Sequence, residues 1–211
     1  YMVDAISQVK QYDYDGKLVR DVTLPGVGTV SGFGGKTKDE QVYFSFTNYN
    51  TAATTFAFEP KAGESTVYYK PAVKFNSDDY ESKQVFYTSK DGTKVPMIIT
   101  HKKGVQLDGN NPTLLYGYGG FQNSLLPGYS PTVGKLWLER GGVYVIANTR
   151  GGGEFGPRWH DAALQENRQR AHEDFQAVAL DLTARRITSQ PKLAIMGGSQ
   201  GGLFMGAMLT D

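Results

Sequence analysis

Residues 195–204 constrain this chain more than any other stretch: Ile-Met-Gly-Gly-Ser-Gln-Gly-Gly-Leu-Phe, one serine between two pairs of glycines. An apolar run, Lys192–Met196, reads as a strand leading into it, and Leu203, Phe204, Met205, Ala207 and Met208 read as a helix leading out. Gly197-Gly198-Ser199-Gln200-Gly201 therefore fits G-x-S-x-G, the pattern that sets a nucleophilic serine on a sharp strand-to-helix turn. At such a turn the positions two before and two after the serine approach each other, so a Cβ on either would collide. The helix that follows aims free amides at the same spot, and the Gln200 amide can donate to a developing oxyanion. Glycine-rich strand-to-helix turns also cradle phosphates, and the flanking strand and helix favour the nucleophile.

A serine hydroxyl needs a general base at neutral pH. Histidines stand at 101, 160 and 172, all before Ser199, and none lies among the twelve residues after it. His101 ends a hairpin beside Lys102 and Lys103 and is expected to be exposed. His172 precedes Glu173 and Asp174 and is expected on the solvated side of a helix. His160, after Trp159 in a loop, is the only one expected near a site.

The rest of the chain falls into two parts. Residues 1–71 read as antiparallel strands: Val9–Tyr12 and Leu18–Val22 flank a turn at Gly16, and Thr55–Phe58 and Ser65–Tyr69 flank another at Gly63. Val42, Phe44 and Phe46 alternate with polar neighbours, the period of a strand with one core face. The two turn glycines are 47 residues apart, within the repeat range of β-propeller blades, although any β-meander could give that spacing. Residues 72–83 are polar and are expected to be a linker. From 84 to 211 a hairpin around Asp91-Gly92 precedes apolar strands at Thr113–Tyr116, Val143–Ala147 and Lys192–Met196. A helix between Glu166 and Arg186 carries the stripe Ala171, Phe175, Val178, Leu182. Apolar strands separated by a long helix predict an α/β domain with a parallel sheet covered by helices.

Composition narrows the function classes. Twenty-two basic against twenty-one acidic residues leave a net charge of +1, with no basic block to steer nucleic acid or an anionic membrane. There is no cysteine, which removes disulfides and thiolate metal sites. No apolar run approaches the roughly 20 residues that span a bilayer. Both ends break off within expected elements, a strand at Tyr1-Met2-Val3 and a helix at the other end. The chain is therefore expected to be part of a longer protein, and to pair through its last strand with the remainder or with another copy.

Taken together, DGTKVPMIITHKKG (91–104), NNPTLLYGYGGF (110–121), NTRGGGEFGPRWH (148–160) and GGSQGG (197–202) resemble the prolyl oligopeptidases. TVSGFGGK (29–36) extends the likeness into the first part. The resemblance implies serine peptidases with a β-propeller and an α/β-hydrolase domain, acting on short proline-containing peptides without cofactor or metal. It implies that residues 1–71 are the last part of the propeller and that Ser199 is the nucleophile. Tyr118 would give its hydroxyl and Gln200 its backbone amide to the oxyanion hole, with Gly197 and Gly201 shaping the turn. Phe121 would line the pocket for the proline ring, although an ordinary loop tyrosine and a core phenylalanine are the plainer readings of Tyr118 and Phe121. RGGGEFG (150–156) would be a structural turn, since no Lys-Ser/Thr follows as a phosphate loop requires. The catalytic acid and histidine would lie beyond residue 211, leaving the chain by itself inert. Gln200 stands where the family usually has Asn, which bears on how strictly proline is preferred. An esterase on the same scaffold remains an alternative.

Overall fold

The computed structural model describes residues 1–210. Its first part is antiparallel throughout. Two small hairpins, β1 (Met2–Val3) with β2 (Ile6–Ser7) and β3 (Lys10–Tyr12) with β4 (Leu18–Asp21), precede a four-stranded sheet. That sheet is β5 (Thr29–Gly34), β6 (Val42–Thr47), β7 (Thr54–Glu59) and β8 (Glu64–Tyr69), paired in chain order as a blade-like meander. The alternation of β6 is realised: Phe44 and Phe46 are buried with Val22 and Phe58, and Phe44 stacks on Phe33 and Phe56. Gly16 and Gly63 both take φ +79 in their turns, but they close hairpins in sheets of different size.

The second part is built on a five-stranded sheet. Its strands are β9 (Tyr80–Thr88), β10 (Lys94–Lys102), β11 (Thr113–Gly117), β12 (Val143–Ala147) and β13 (Leu193–Met196), in the spatial order β13-β11-β12-β10-β9. The strands β12, β11 and β13 are parallel, as the apolar runs predict. The sheet as a whole is mixed, because the expected hairpin around Asp91-Gly92 adds antiparallel strands beside the parallel ones. The Asp91-Gly92 turn folds β10 back on β9, and β10 then pairs antiparallel with β12. Strand β9 also takes residues 80–83 out of the expected linker, where Asn76 caps a short helical turn at Ser77–Asp79.

Both faces of the sheet are covered. On one lie α2 (Gln169–Ala184) and, after the short α1 (Pro157–Asp161), α3 (Gln200–Met208). The stripe Ala171, Phe175, Val178 and Leu182, with Phe204 from α3, packs on Met97, Leu115 and Val145. On the other face, Ile98, Tyr144 and Ile146 meet Leu138, from helical turns at 133–140, together with Phe75 and Tyr49. Burial of these side chains, at roughly 1.5–3 kcal/mol each, fixes where the C-terminal ends of β11, β12 and β13 open. In sheets of this type the ligand crevice lies outside those ends. Strand β13 is an edge strand with Met196 half-exposed.

Candidate active site

Strand β13 ends at Met196, α3 begins at Gln200, and Ser199 between them has φ 52, ψ −117. A non-glycine residue there stores strain of about 1–3 kcal/mol and persists only where its surroundings over-determine it. The flanking glycines show what does so. A Cβ on Gly197 would lie 2.4 Å from the Gly201 carbonyl oxygen, and a Cβ on Gly201 would lie 2.5 Å from that of Gly117 on β11. Thus one glycine closes the turn on itself, and the other lets it press against the neighbouring strand. Ser199 itself is exposed. Within the first turn of α3, the amides of Gly201, Gly202 and Leu203 donate to the Gly198 and Ser199 carbonyls. The Gln200 amide has no such partner among the described residues, so it is the free donor beside the hydroxyl.

Strand β11 delivers the second part of the site, the loop Tyr118–Gln122. Gly119 takes φ +55, and a Cβ there would also meet Thr149 Oγ1 at 2.3 Å and the Phe204 ring at 2.7 Å. Phe121 and Gln122 follow with φ 53 and φ 55, two strained non-glycine residues in succession. The loop reaches the serine turn twice. A Cβ on Gly120 would stand 2.6 Å from Gln200 Cγ, and one on Gly201 would stand 3.5 Å from the Tyr118 Cα. Tyr118 is half-buried, and Phe121 is 74% exposed, so Phe121 is not part of the core. A cavity of about 330 Å³ opens here, lined by Gly120, Phe121, Gln200, His160, Arg168 and Leu203 among others.

Behind this loop sits a layer that sequence reading did not find. Asp174, completely buried on α2, accepts the Arg150 backbone amide at 3.0 Å and its Nη2 at 2.6 Å. Ser89 donates to the same carboxylate at 2.6 Å, and Arg150 Nη1 reaches Asp91 in the β9–β10 turn. Arg150 holds the Asp91 carboxyl far below the ordinary aspartate value. Burial by itself would lower the Arg150 guanidinium, but its bonds to Asp174 and Asp91 outweigh that and raise it. One clue to this layer was present in the chain: Asp174 falls on the apolar stripe, three residues after Ala171 and four before Val178.

Within RGGGEFG, Gly152 closes on a side chain of the same turn. A Cβ on Gly152 would lie 2.1 Å from Glu154 Oε2. A buried carboxyl thus occupies the turn where a phosphate would otherwise have to sit. Glu154 Oε1 accepts from the Leu125 amide at 2.9 Å and from Asn148 Nδ2 at 3.2 Å, and burial raises its carboxyl above the ordinary value.

Two of the three histidines depart from expectation. His101 is 8% exposed, because β10 is an interior strand; its Nδ1 bonds the Lys102 carbonyl and its Nε2 lies 3.8 Å from Glu81. His172 is half-buried, edge-on to Phe204 at 5.1 Å, rather than on the solvated side of α2. His160 does line the cavity beside Gln200, with Nδ1 2.7 Å from the Gly151 carbonyl. Among the described residues no three His, Asp or Glu side chains are grouped to hold a metal ion, and no helix is long and apolar enough to cross a membrane.

Comparison with known proteins agrees over both parts. The sequence pattern of the prolyl oligopeptidase family matches residues 128–211, and that of the prolyl oligopeptidase N-terminal beta-propeller domain matches residues 1–71. A prolyl endopeptidase of Elizabethkingia miricola is 52% identical over 210 residues, which is 100% of this chain and 30% of that protein. One of Dictyostelium discoideum is 40% identical over 95% of this chain and 27% of its own length. The chain thus spans less than a third of the relatives it matches. Among solved structures, the apo form of prolyl oligopeptidase B from Galerina marginata superposes with a TM-score of 0.90 at 31% identity, over 98% of this chain and 30% of that one. A prolyl endopeptidase studied for inter-domain dynamics in catalysis and specificity superposes with a TM-score of 0.87 at 44% identity, over 100% and 31%. With a blade-like meander ahead of an α/β sheet, and a strained serine where that sheet opens, the chain belongs to the prolyl oligopeptidase family.

Proposed function

We propose that the protein containing this chain is a serine endopeptidase that cleaves short peptides on the carboxyl side of proline, through an acyl-enzyme at Ser199. The observation that carries this reading is the exposed Ser199 at φ 52, beside the free Gln200 amide. Relatives bearing the name prolyl endopeptidase, at 52% identity, supply the substrate class.

In this mechanism Ser199 Oγ attacks the carbonyl carbon of the proline residue while a general base takes its proton. The oxyanion of the tetrahedral intermediate accepts from the Gln200 amide and the Tyr118 hydroxyl. Each donor of this kind is worth about 2.7–4 kcal/mol to the transition state. Collapse expels the amine with the base returning its proton, and water then releases the proline-ended acyl group by the reverse geometry. Phe121, with its ring exposed at the mouth of the site, is a flat wall against which a pyrrolidine ring can lie. The imidazole base and its carboxylate partner follow the serine in chain order in this fold. They are to be sought in the part of the relatives that the chain does not cover.

The full-length protein is expected to hydrolyse a Gly-Pro-amide substrate and to lose this activity in Ser199→Ala. Cleavage after Arg or Lys but not after Pro would overturn the substrate class, and ester turnover without peptide turnover would favour an esterase.

A further inference from the structure

Arg168 has an unusual setting for a cation. Its Nε and Nη2 are buried without a hydrogen-bond partner, and no carboxylate pairs with it among the described residues. Its Nη1 donates instead to the carbonyl oxygen of Gly119, and its Cζ lies 4.8 Å from the centre of the Phe204 ring. Burial lowers the guanidinium below the ordinary arginine value. A charge enclosed at that cost is usually matched by a counter-ion; here the guanidinium donates to a loop carbonyl instead.

That carbonyl belongs to the most strained segment near the serine. Gly119, Phe121 and Gln122 all have positive φ. The contacts holding the loop include Arg168 on Gly119, the Gln122 amide donating to His160 Nδ1 at 3.0 Å and to the Gly151 carbonyl at 3.1 Å, and the Gln200 side chain under Gly120. A Cβ on Gly151 would come within 2.4 Å of the Gly119 oxygen and 3.1 Å of Arg168 Nη1, so the three pack as one unit.

We infer that Arg168 is a positioning residue for the reaction: its guanidinium ties down the Gly119 carbonyl and so fixes Tyr118 on one side and Phe121 on the other relative to Ser199. This rests on the peptidase reading above and adds a residue at the edge of the cavity whose role is exerted through the loop. Phe204 completes the tie from the helix that Ser199 itself begins, so the serine turn and the loop share one anchor. The loss expected without it is chiefly in the reacting geometry, because the loop carries the Tyr118 donor, with a smaller effect on substrate binding through Phe121 on the same loop.

The experiment uses the full-length protein with Arg168→Met and Arg168→Lys, measured for kcat, KM, thermal midpoint and the rate of fluorophosphonate labelling at Ser199. Arg168→Met is expected to lower kcat about a hundredfold, the scale of a misplaced reacting group, with KM changed less than about twofold. Labelling should slow in parallel, because phosphonylation needs the same oxyanion donors. Arg168→Lys, which keeps a donor but not the fork, should fall between Met and wild type. If the Met variant does not fold, the Lys variant decides alone: reduced kcat at unchanged KM supports the inference. Wild-type kcat and labelling in a folded variant, or a loss in KM alone, overturns it. If wild type does not cleave the proline substrate, the substrate reading fails, while the labelling rates still test the loop.

Discussion

Ser199 and Glu154 are each held in a state that their side chains would not choose alone, for different reasons. Ser199 has a strained φ of 52 in a turn so close to itself and to the Gly117 carbonyl that a Cβ at position 197 or 201 would collide. Glu154 is a buried carboxyl that accepts two hydrogen bonds through Oε1 while Oε2 has no partner. Burial raises its carboxyl above the ordinary value of 4.5, so above that value the unfolded chain holds fewer protons than the folded one. Stability conferred by the protonated form is therefore full at lower pH, and it declines as pH rises toward the folded value. Glu154→Gln keeps the acceptor and removes the ionisation. The thermal midpoint of this variant, measured from pH 5 to 8, should fall less with rising pH than that of wild type and lie above it at the alkaline end. A wild-type slope in the variant would show that Glu154 ionises freely.

Among the elements, those announced by local patterns were legible in the sequence, and those defined by partners were not. The strand into Ser199, the hairpins at Gly16, Gly63 and Asp91-Gly92, and the stripe of α2 all stand where residue spacing put them, because each is decided within a few residues. The helical turns at 133–140 are too short to show a period. The antiparallel pairing of β10 with β12 joins segments some fifty residues apart, which no local pattern reports. The candidate site divides the same way: the glycines and Ser199 were readable, whereas the layer of Arg150, Asp174, Asp91 and Ser89 depends on three elements meeting. That layer ties the β9–β10 turn to α2 and to the loop behind Gly119. Arg150→Met would strand the Asp174 carboxylate, whose side chain is 0% exposed, at a cost of about 3–5 kcal/mol. Denaturant titration of the full-length protein checks this. The acid side has a definite sign: Asp91 is held below its ordinary value of 3.8 by Arg150. Its contribution is present above that value and lost as pH falls through the lower folded value, so this acid loss should be shallower in Arg150→Met. An unchanged midpoint in denaturant would mean that the network is not stabilising.

At the scale of the whole molecule, the two parts are joined by specific polar contacts as well as by apolar packing. Thr29 Oγ1 donates to the Pro127 carbonyl at 2.7 Å, and Asn50 Nδ2 donates to the Ser77 carbonyl at 3.0 Å. Tyr49 from the first part meets Tyr144 on β12 edge-on at 5.8 Å. These contacts place the blade-like sheet against the face of the α/β sheet opposite α2 and α3. The site opens at the ends of β11 and β13, where residues from distant parts of the chain must meet around one hydroxyl. The proposed activity requires that this hydroxyl react. The most direct measurement is the intact mass of the full-length protein before and after a fluorophosphonate, followed by peptide mapping. One adduct on the peptide containing Ser199, absent in Ser199→Ala, is the predicted result. No adduct on the folded wild-type protein, or one that persists in Ser199→Ala, would contradict it.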